Sequence, residues 1–141
     1  MRALADEAAA LGSVVQVINT AGLSPNMAPP DRILAVDLYG SAVVFEEFER
    51  VIAPGGAGLV ISSMAGHMSS ALPREQEHHL AFAPAEELMK KPFLGPDAVP
   101  NSGAAYIVSK RANQLRVQAA SISVPIGDGG NPSPLGEARL V

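Results

Sequence analysis

Two short apolar runs, separated by a long amphipathic stretch, dominate the first half of the chain. The first run extends from Ser13 to Asn19, is rich in β-branched residues and is followed by Gly22, which predicts a buried strand. The second run extends from Gly58 to Ser63 and predicts another buried strand. A strand, a helix and a second strand in this order predict a parallel pair with a right-handed crossover, which is the basic unit of an α/β fold.

The amphipathic stretch predicts a helix that is capped by Asp31, runs to about Ile52 and is stopped by Pro54-Gly55-Gly56. Further helices are predicted at residues 2–11, at residues 74–82, from Pro84 to Pro92, and from Asn101 or Ser102 to about Ala120. The segment after Ser121 is rich in proline and glycine, so we expect it to be poorly ordered, with residues 122–126 as a candidate strand.

Composition excludes several classes of protein. The chain is 48% hydrophobic and 17% charged, which indicates a globular protein. Its net charge is −4 and its Lys and Arg residues are scattered, so no nucleic-acid partner is expected. Cysteine is absent, which excludes disulfides and thiolate sites and fits a reducing, cytoplasmic location. The uncharged stretch 51–73 contains two prolines and four glycines, so we expect no membrane span.

Tyr106 and Lys110 lie four residues apart on a predicted helix, which places them on one face, one turn apart. An ammonium held near a phenol favours the phenolate, so such a tyrosine can serve as a proton donor and acceptor. The same spacing also occurs in ordinary surface pairs. The adjacent His78 and His79 diverge on a helix and lack a His-Glu-x-x-His pattern, so no metal site is expected.

The motifs form an ordered set. Asn19-Thr20-Ala21-Gly22 closes one strand, Ser62-Ser63 closes the next, and Tyr106-x-x-x-Lys110 follows on a helix. This order resembles the short-chain dehydrogenase/reductase family over roughly residues 1 to 121. The resemblance implies a partial Rossmann-like unit, a doubly wound parallel α/β sheet that lacks the N-terminal strands. Residues 67–101 would be a helical insertion in this unit, and residues 122–141 a Pro/Gly-rich tail.

The resemblance also implies an activity. It suggests an oxidoreductase that uses NAD or NADP to reduce a small-molecule carbonyl or to oxidise a secondary alcohol. Tyr106 matches the family's proton donor, Lys110 the lysine that assists it and binds the nicotinamide ribose, and Ser63, rather than Ser62, the serine that holds the carbonyl oxygen. The segment with Asn19, Ala21 and Gly22 matches the one that lines the cofactor cleft. A homodimer through helices 31–52 and 102–120 would follow the family.

Two departures from the family pattern bear on activity. Asp37 occupies the position of an asparagine that helps to hold a relay water in the family, and an ionised aspartate can accept but not donate a hydrogen bond. The glycine-rich strand–turn–helix that holds the pyrophosphate is unmatched, because Gly55-Gly56-Ala57-Gly58 precedes a strand and Gly127-Asp128-Gly129-Gly130 opens no helix. The alternative is therefore a truncated, catalytically inactive relative that acts as a folded or association module. The substrate and the choice between NAD and NADP remain open.

Overall fold

A parallel sheet of three strands, flanked by helices, forms the framework of the protein. The computed structural model describes residues 1–68, 72–123 and 139–140. Strand β1 (Val14–Asn19) pairs with β2 (Ile52–Val60), and β2 pairs with β3 (Arg139–Leu140), both in parallel. The predicted parallel α/β unit is thus confirmed. The predictions for residues 124–138 lie outside the described residues, whereas Ile122 and Ser123 belong to a helix rather than to a strand.

The helices follow the predicted order. They are α1 (Arg2–Leu11), α2 (Pro30–Ile33), a π-helical segment (Leu34–Gly40), α3 (Ser41–Glu49), α4 (Arg74–Phe82), α5 (Ala85–Leu88) and α6 (Ser102–Ser123). Two 3₁₀ turns lie at Met64–His67 and Pro92–Leu94. Asn101 caps α6, since its Oδ1 accepts a hydrogen bond from the Ala104 N–H at 2.9 Å.

The crossover helix differs from its prediction at both ends. Pro29 occupies the N-cap position and Asp31 lies in the first turn, so Asp31 is not the cap. The helix ends at Glu49, and Ile52, its predicted last residue, already begins β2. Its middle, Leu34–Gly40, is π-helical. Such segments are uncommon and often lie at functional sites, and hydrophobic periodicity alone does not reveal them.

Pro54-Gly55-Gly56 does not stop a helix, because the whole run lies inside β2. Val14 pairs with Ile52 and Gln16 pairs with Ala57, so one residue of β1 faces four of β2 in a bulge. Gly55 has φ of 78°, a conformation that residues with a side chain rarely adopt. A Cβ on Gly56 would lie 2.8 Å from the Ala53 carbonyl oxygen, so only glycine fits this close approach.

The core lies between the crossover helix, the predicted insertion and α6. Ile33, Leu38, Leu80 and Leu88 are fully buried there. Leu80 and Leu88 come from residues 67–101, so this segment builds the core rather than forming a solvated addition. Within the described ranges, no helix is long and apolar enough to cross a membrane.

The prediction that β1 and β2 are buried is wrong for one face of the sheet. Ile18 and Leu59 are register partners, and the side chain of Ile61 follows on the same face. These residues are 61%, 38% and 51% exposed, respectively. Helix α3 packs against both strands, and the Asn19 side chain, which points to the face opposite Ile18, is buried. Parallel sheets normally have both faces covered, so this face is unusual for its strand type.

Helix α1 docks on α3 mainly through charged side chains. Arg50 donates a hydrogen bond to Asp6 at 2.7 Å, and Arg2 donates to Glu47 at 3.2 Å. The bond with Asp6, and then that with Glu47, raises the pKa of Arg50. Ala5 is the buried residue of α1, so little apolar surface supports this contact.

Gly66, in the first 3₁₀ turn, provides a prediction about the close approach of this turn to α6. A Cβ at this position would lie 2.9 Å from the Arg111 amide nitrogen and 2.9 Å from the Lys110 carbonyl carbon. Since backbone atoms cannot move aside easily, Gly66→Ala should lower the free energy of unfolding by about 1–3 kcal/mol in urea denaturation. Gly103→Ala is the control, because its Cβ would meet one side-chain atom, Asn101 Oδ1 at 3.2 Å, and no backbone atom of another segment within 4 Å. Equal stabilities of the two variants would contradict this account.

Asn19 provides a second prediction, about the attachment of β1 to α3. Its Nδ2 donates to Ser41 Oγ at 3.2 Å, and its Oδ1 accepts from the Ala21 N–H at 3.2 Å. Asn19→Ala leaves the buried Ser41 hydroxyl without its donor and the Ala21 N–H without its side-chain acceptor, which should cost about 1–3 kcal/mol. Thermal unfolding would measure the loss, with the exposed Asn26→Ala as control. A melting temperature unchanged from wild type would show that these bonds do not fasten the strand.

Candidate active site

Four segments meet where β1 and β2 end. They are the loop after β1, the π-helical segment, the loop after β2, and the middle of α6. In open parallel sheets, ligands bind beside the carboxyl ends of the strands. The predicted site residues occur in these four segments and, in the case of Asn19, at the last position of β1. The fold thus brings together residues that are distant in sequence.

Asp37 and Lys110 form a buried ion pair at this junction. Lys110 Nζ lies 3.2 Å from Asp37 Oδ2, and the two side chains are 5% and 0% exposed. Asp37 Oδ1 accepts a hydrogen bond of 2.7 Å from the Leu23 N–H. Oδ2 has no hydrogen-bond partner of acceptable geometry among the described residues, so charge rather than a directed bond joins it to Lys110. Removal of one partner from such a pair typically costs about 3–5 kcal/mol.

Tyr106 and Lys110 lie on one face of α6, as their spacing predicts. The Lys110 ammonium is 5.3 Å from the centroid of the Tyr106 ring, which is within the range of a cation–π contact. Lys110 Nζ is also 3.4 Å from the Ile61 carbonyl oxygen at the end of β2. Tyr106 is only partly buried, so its ring connects the buried ion pair with the surface.

The loop after β1 lies directly over the ion pair. A Cβ on Gly22 would be 3.2 Å from Lys110 Nζ and 3.4 Å from Asp37 Oδ2. The neighbouring Ala21 N–H is fixed by Asn19, whose two polar groups both serve to hold the structure. The segment predicted to line the cofactor cleft therefore lies close to the predicted catalytic lysine, although the role of Asn19, Ala21 and Gly22 in binding stays a prediction.

The two candidate serines have different hydrogen bonds. Ser62 Oγ donates to the Lys110 carbonyl oxygen at 2.9 Å, which commits its hydroxyl hydrogen to α6. Ser63 Oγ accepts from the Ala65 N–H at 3.2 Å, and the Ser63 carbonyl accepts from Gln114 at 3.1 Å. Because Ser63 Oγ acts as an acceptor in this bond, its own hydrogen remains available for a substrate oxygen. This difference is compatible with the choice of Ser63, whose catalytic role stays a prediction.

Helix α4 is fastened to α6 one residue beyond Lys110. Arg111 Nε donates to Glu77 at 3.0 Å, and Arg111 Nη2 forms an ion pair with the same carboxylate oxygen. Further along α6, Arg116 donates to the Ala83 carbonyl oxygen. Burial lowers the pKa of Arg116, while Glu46 acts in the opposite direction. These contacts fix the orientation of α6, and hence of Tyr106 and Lys110, against α4 and the residue that follows it.

The adjacent histidines have structural contacts. His79 Nε2 lies 3.0 Å from the Leu88 carbonyl oxygen, and the His78 ring packs 4.8 Å from that of Phe82. His79 is partly buried, so its side chain contributes to packing between α4 and α5. In the described part of the chain, no group of three or more His, Asp or Glu side chains could hold a metal ion.

The residues present fit one end of a nicotinamide dinucleotide. Lys110 supplies a cation, and Gly22 leaves space beside it that a side chain would fill. No glycine-rich turn joins a strand to a helix within the described ranges: Gly55-Gly56-Ala57-Gly58 lies in the β2 strand, and the loop after β1 leads through Pro29 into α2. Gly127-Asp128-Gly129-Gly130 lies outside the described residues. The described residues thus include a candidate contact for a nicotinamide ribose, Lys110, and provide no cradle for the pyrophosphate.

Sequence reasoning missed three features of this site. It did not pair Asp37 with Lys110, and it did not anticipate the Leu23 N–H or the Ile61 carbonyl as their partners. The acidic residue at a position where the family has an amide was the available signal, since a buried carboxylate requires a cation or several donors. The Leu23 N–H and the Ile61 carbonyl are backbone groups, which every residue type except proline provides, so the sequence does not indicate them.

Comparison with known proteins identifies the family. No protein-family profile and no solved structure matches the chain. The short-chain dehydrogenase/reductase bsc3 of Alternaria brassicicola is 39% identical to it over 120 residues, which are 84% of this chain and 43% of that protein. The chain therefore spans less than half the length of this curated relative. Together with the ordered motifs and the parallel sheet, this similarity shows that the chain belongs to the short-chain dehydrogenase/reductase family.

Proposed function

We propose that the chain carries the acid–base part of an NAD(P)-dependent oxidoreductase site for a small carbonyl compound or secondary alcohol. The observation that carries the proposal is the position of the Lys110 ammonium, 5.3 Å from the centre of the Tyr106 ring at the carboxyl ends of two parallel strands. A cation beside a phenol stabilises the phenolate. In a chain of this family, such a pair supports proton transfer to and from a substrate oxygen.

Each residue has a proposed role in this chemistry. The nicotinamide, when bound, would exchange a hydride with the substrate carbon. Tyr106 would give its phenolic proton to a carbonyl oxygen, or accept one from an alcohol. Ser63 would donate its hydroxyl hydrogen to the same oxygen, which stabilises the charge that develops there. Lys110 would stabilise the tyrosinate and contact the nicotinamide ribose.

Cofactor affinity should be low for this chain. Backbone N–H groups and a helix N-terminus usually supply much of the interaction with a dinucleotide pyrophosphate, and the described residues contain no such turn after a strand. What remains is the contact with Lys110 and with the loop at Gly22. This predicts binding at about the millimolar level, which corresponds to about 4 kcal/mol of binding free energy.

Titration with NADH and NADPH tests the proposal. We expect saturable binding in the millimolar range, detected by cofactor fluorescence and by a thermal shift, and its loss in Lys110→Ala. Lys90→Ala is the matched control, since Lys90 is an exposed lysine that pairs with Glu87 on the surface. No binding by the wild type at millimolar cofactor, or equal binding by the two lysine variants, would contradict the proposed function of this chain.

A second candidate function is that of a folded association module without catalysis. The exposed apolar face formed by Ile18, Leu59 and Ile61 favours it, because contiguous apolar patches often mark protein interaction sites. A homodimer through helices 31–52 and 102–120 is the other proposed route. On those helices, Tyr39 is the one large apolar side chain among the described residues that is strongly exposed.

Two variants distinguish these routes of self-association. If the sheet face mediates it, Ile18→Asp should convert a dimer into a monomer, because a carboxylate would be buried in the contact. If the helices mediate it, Tyr39→Asp should do so instead. Size-exclusion chromatography with light scattering measures the mass of each form, and a wild-type chain that is monomeric at about 100 μM would count against both routes.

A further inference from the structure

We propose that Asp37 is a positioning residue that holds the Lys110 ammonium in a direct ion pair and so competes with Tyr106 for it. This inference rests on the proposed function, since it assigns what sets the behaviour of the Tyr106–Lys110 pair. In the part of the chain that the structure describes, Asp37 is the one carboxylate within ion-pair distance of Lys110. Glu77, on α4, pairs with Arg111, the neighbour of Lys110 on α6.

The contact is direct. Lys110 Nζ and Asp37 Oδ2 are 3.2 Å apart, which is contact distance and leaves no space for a water molecule between them. The Ile61 carbonyl oxygen, at 3.4 Å, faces the same ammonium. Of the three N–H donors of the ammonium, one is directed at this carbonyl, and the charge as a whole faces the Asp37 carboxylate. An arrangement in which residue 37 holds a relay water against Lys110 does not fit this geometry.

The charge of Asp37 changes what Lys110 can do for Tyr106. One cation and one carboxylate make the buried pair electrically neutral. If Tyr106 ionised, a second anion would stand beside the same cation, and the two anions would repel each other. With an amide at position 37, the full charge of Lys110 would be available to the tyrosinate. The Asp37 carboxylate therefore weakens the support that Lys110 gives to an ionised Tyr106. Replacing the carboxylate by an amide should restore that support.

The loop after β1 closes over the ion pair. Asp37 Oδ1 accepts from the Leu23 N–H at 2.7 Å, and a Cβ added to the neighbouring Gly22 would touch both charged groups. An asparagine at position 37 has the same shape, and its Oδ1 can still accept from Leu23. Asp37→Asn thus removes the charge and retains the loop bond, which separates the electrostatic role of the residue from a purely structural one.

Reductive methylation followed by mass spectrometry tests this role. The chain has three lysines, and Lys90 and Lys91 are exposed, so they serve as internal standards for Lys110. The reagent attacks the free side-chain amine, and a Lys110 ammonium held against the Asp37 carboxylate is protected from it. We expect methylation of Lys110 to be at least about tenfold faster in Asp37→Asn than in wild type, with Lys90 and Lys91 unchanged. Asp97→Asn, at an exposed aspartate, is the control.

The outcomes separate this inference from the proposed function. An unchanged rate at Lys110 in folded Asp37→Asn would overturn the positioning role. A faster rate, with no NADH or NADPH binding in either protein, would support the ion-pair role and count against the dehydrogenase proposal. A faster rate with tighter cofactor binding in the variant would support both.

A variant that does not fold is also informative. If Asp37→Asn loses its cooperative unfolding transition, Lys110→Met is added to it, which removes the unpaired cation. The ion-pair role predicts that the double variant regains the transition, because no buried charge is then left without a partner. A double variant as unfolded as the single one would overturn the role.

Discussion

The buried contact between Asp37 and Lys110 is the constraint around which the rest of the structure is arranged. It joins the π-helical segment to α6, and through the Leu23 N–H and the Ile61 carbonyl it also joins the ends of both strands. A buried charge is tolerated only when its partner is held in place. The loop after β2 supplies that support to α6: Ser62 donates to the Lys110 carbonyl, the Ser63 carbonyl accepts from Gln114 on α6, and Gly66 allows a close approach to Lys110 and Arg111.

Residues 67–101 contribute to the site indirectly. They supply Leu80 and Leu88 to the core, and Glu77 to the ion pair with Arg111 beside Lys110. A surface loop would not need buried leucines, so this segment is an integral part of the fold. The helix with the tyrosine and lysine therefore packs on two sides: on the π-helical segment and on the insertion. This packing can keep Tyr106 and Lys110 in register with the strand ends in a chain that spans 43% of its curated relative.

Features that depend on residues close together in the sequence were predictable, whereas features that depend on contacts between distant segments were not. The spacing of Tyr106 and Lys110, the Asn101 cap and the two strands were predictable, since each depends on neighbouring residues. Pro54-Gly55-Gly56 was misread because proline and glycine end helices far more often than they form a bulge in a strand. The exposure of Ile18 could not be predicted, because a β-branched run has the same sequence pattern whether or not a helix covers that face of the strand. The ion pair of Asp37 is a contact across the fold, and its family position alone suggested only a hydrogen-bond acceptor.

The attachment of α1 has a consequence for how the molecule responds to ionic strength. Its links to α3 are the partly exposed pairs Arg50–Asp6 and Arg2–Glu47, with Ala5 as its buried residue. Exposed charges interact over a Debye length of about 8 Å at physiological salt, and of about 3 Å at 1 M. The pair of Asp37 and Lys110 is buried and is screened much less. Added salt should therefore loosen the first helix as a separate unit of hydrogen exchange, while the amides around the ion pair keep their protection.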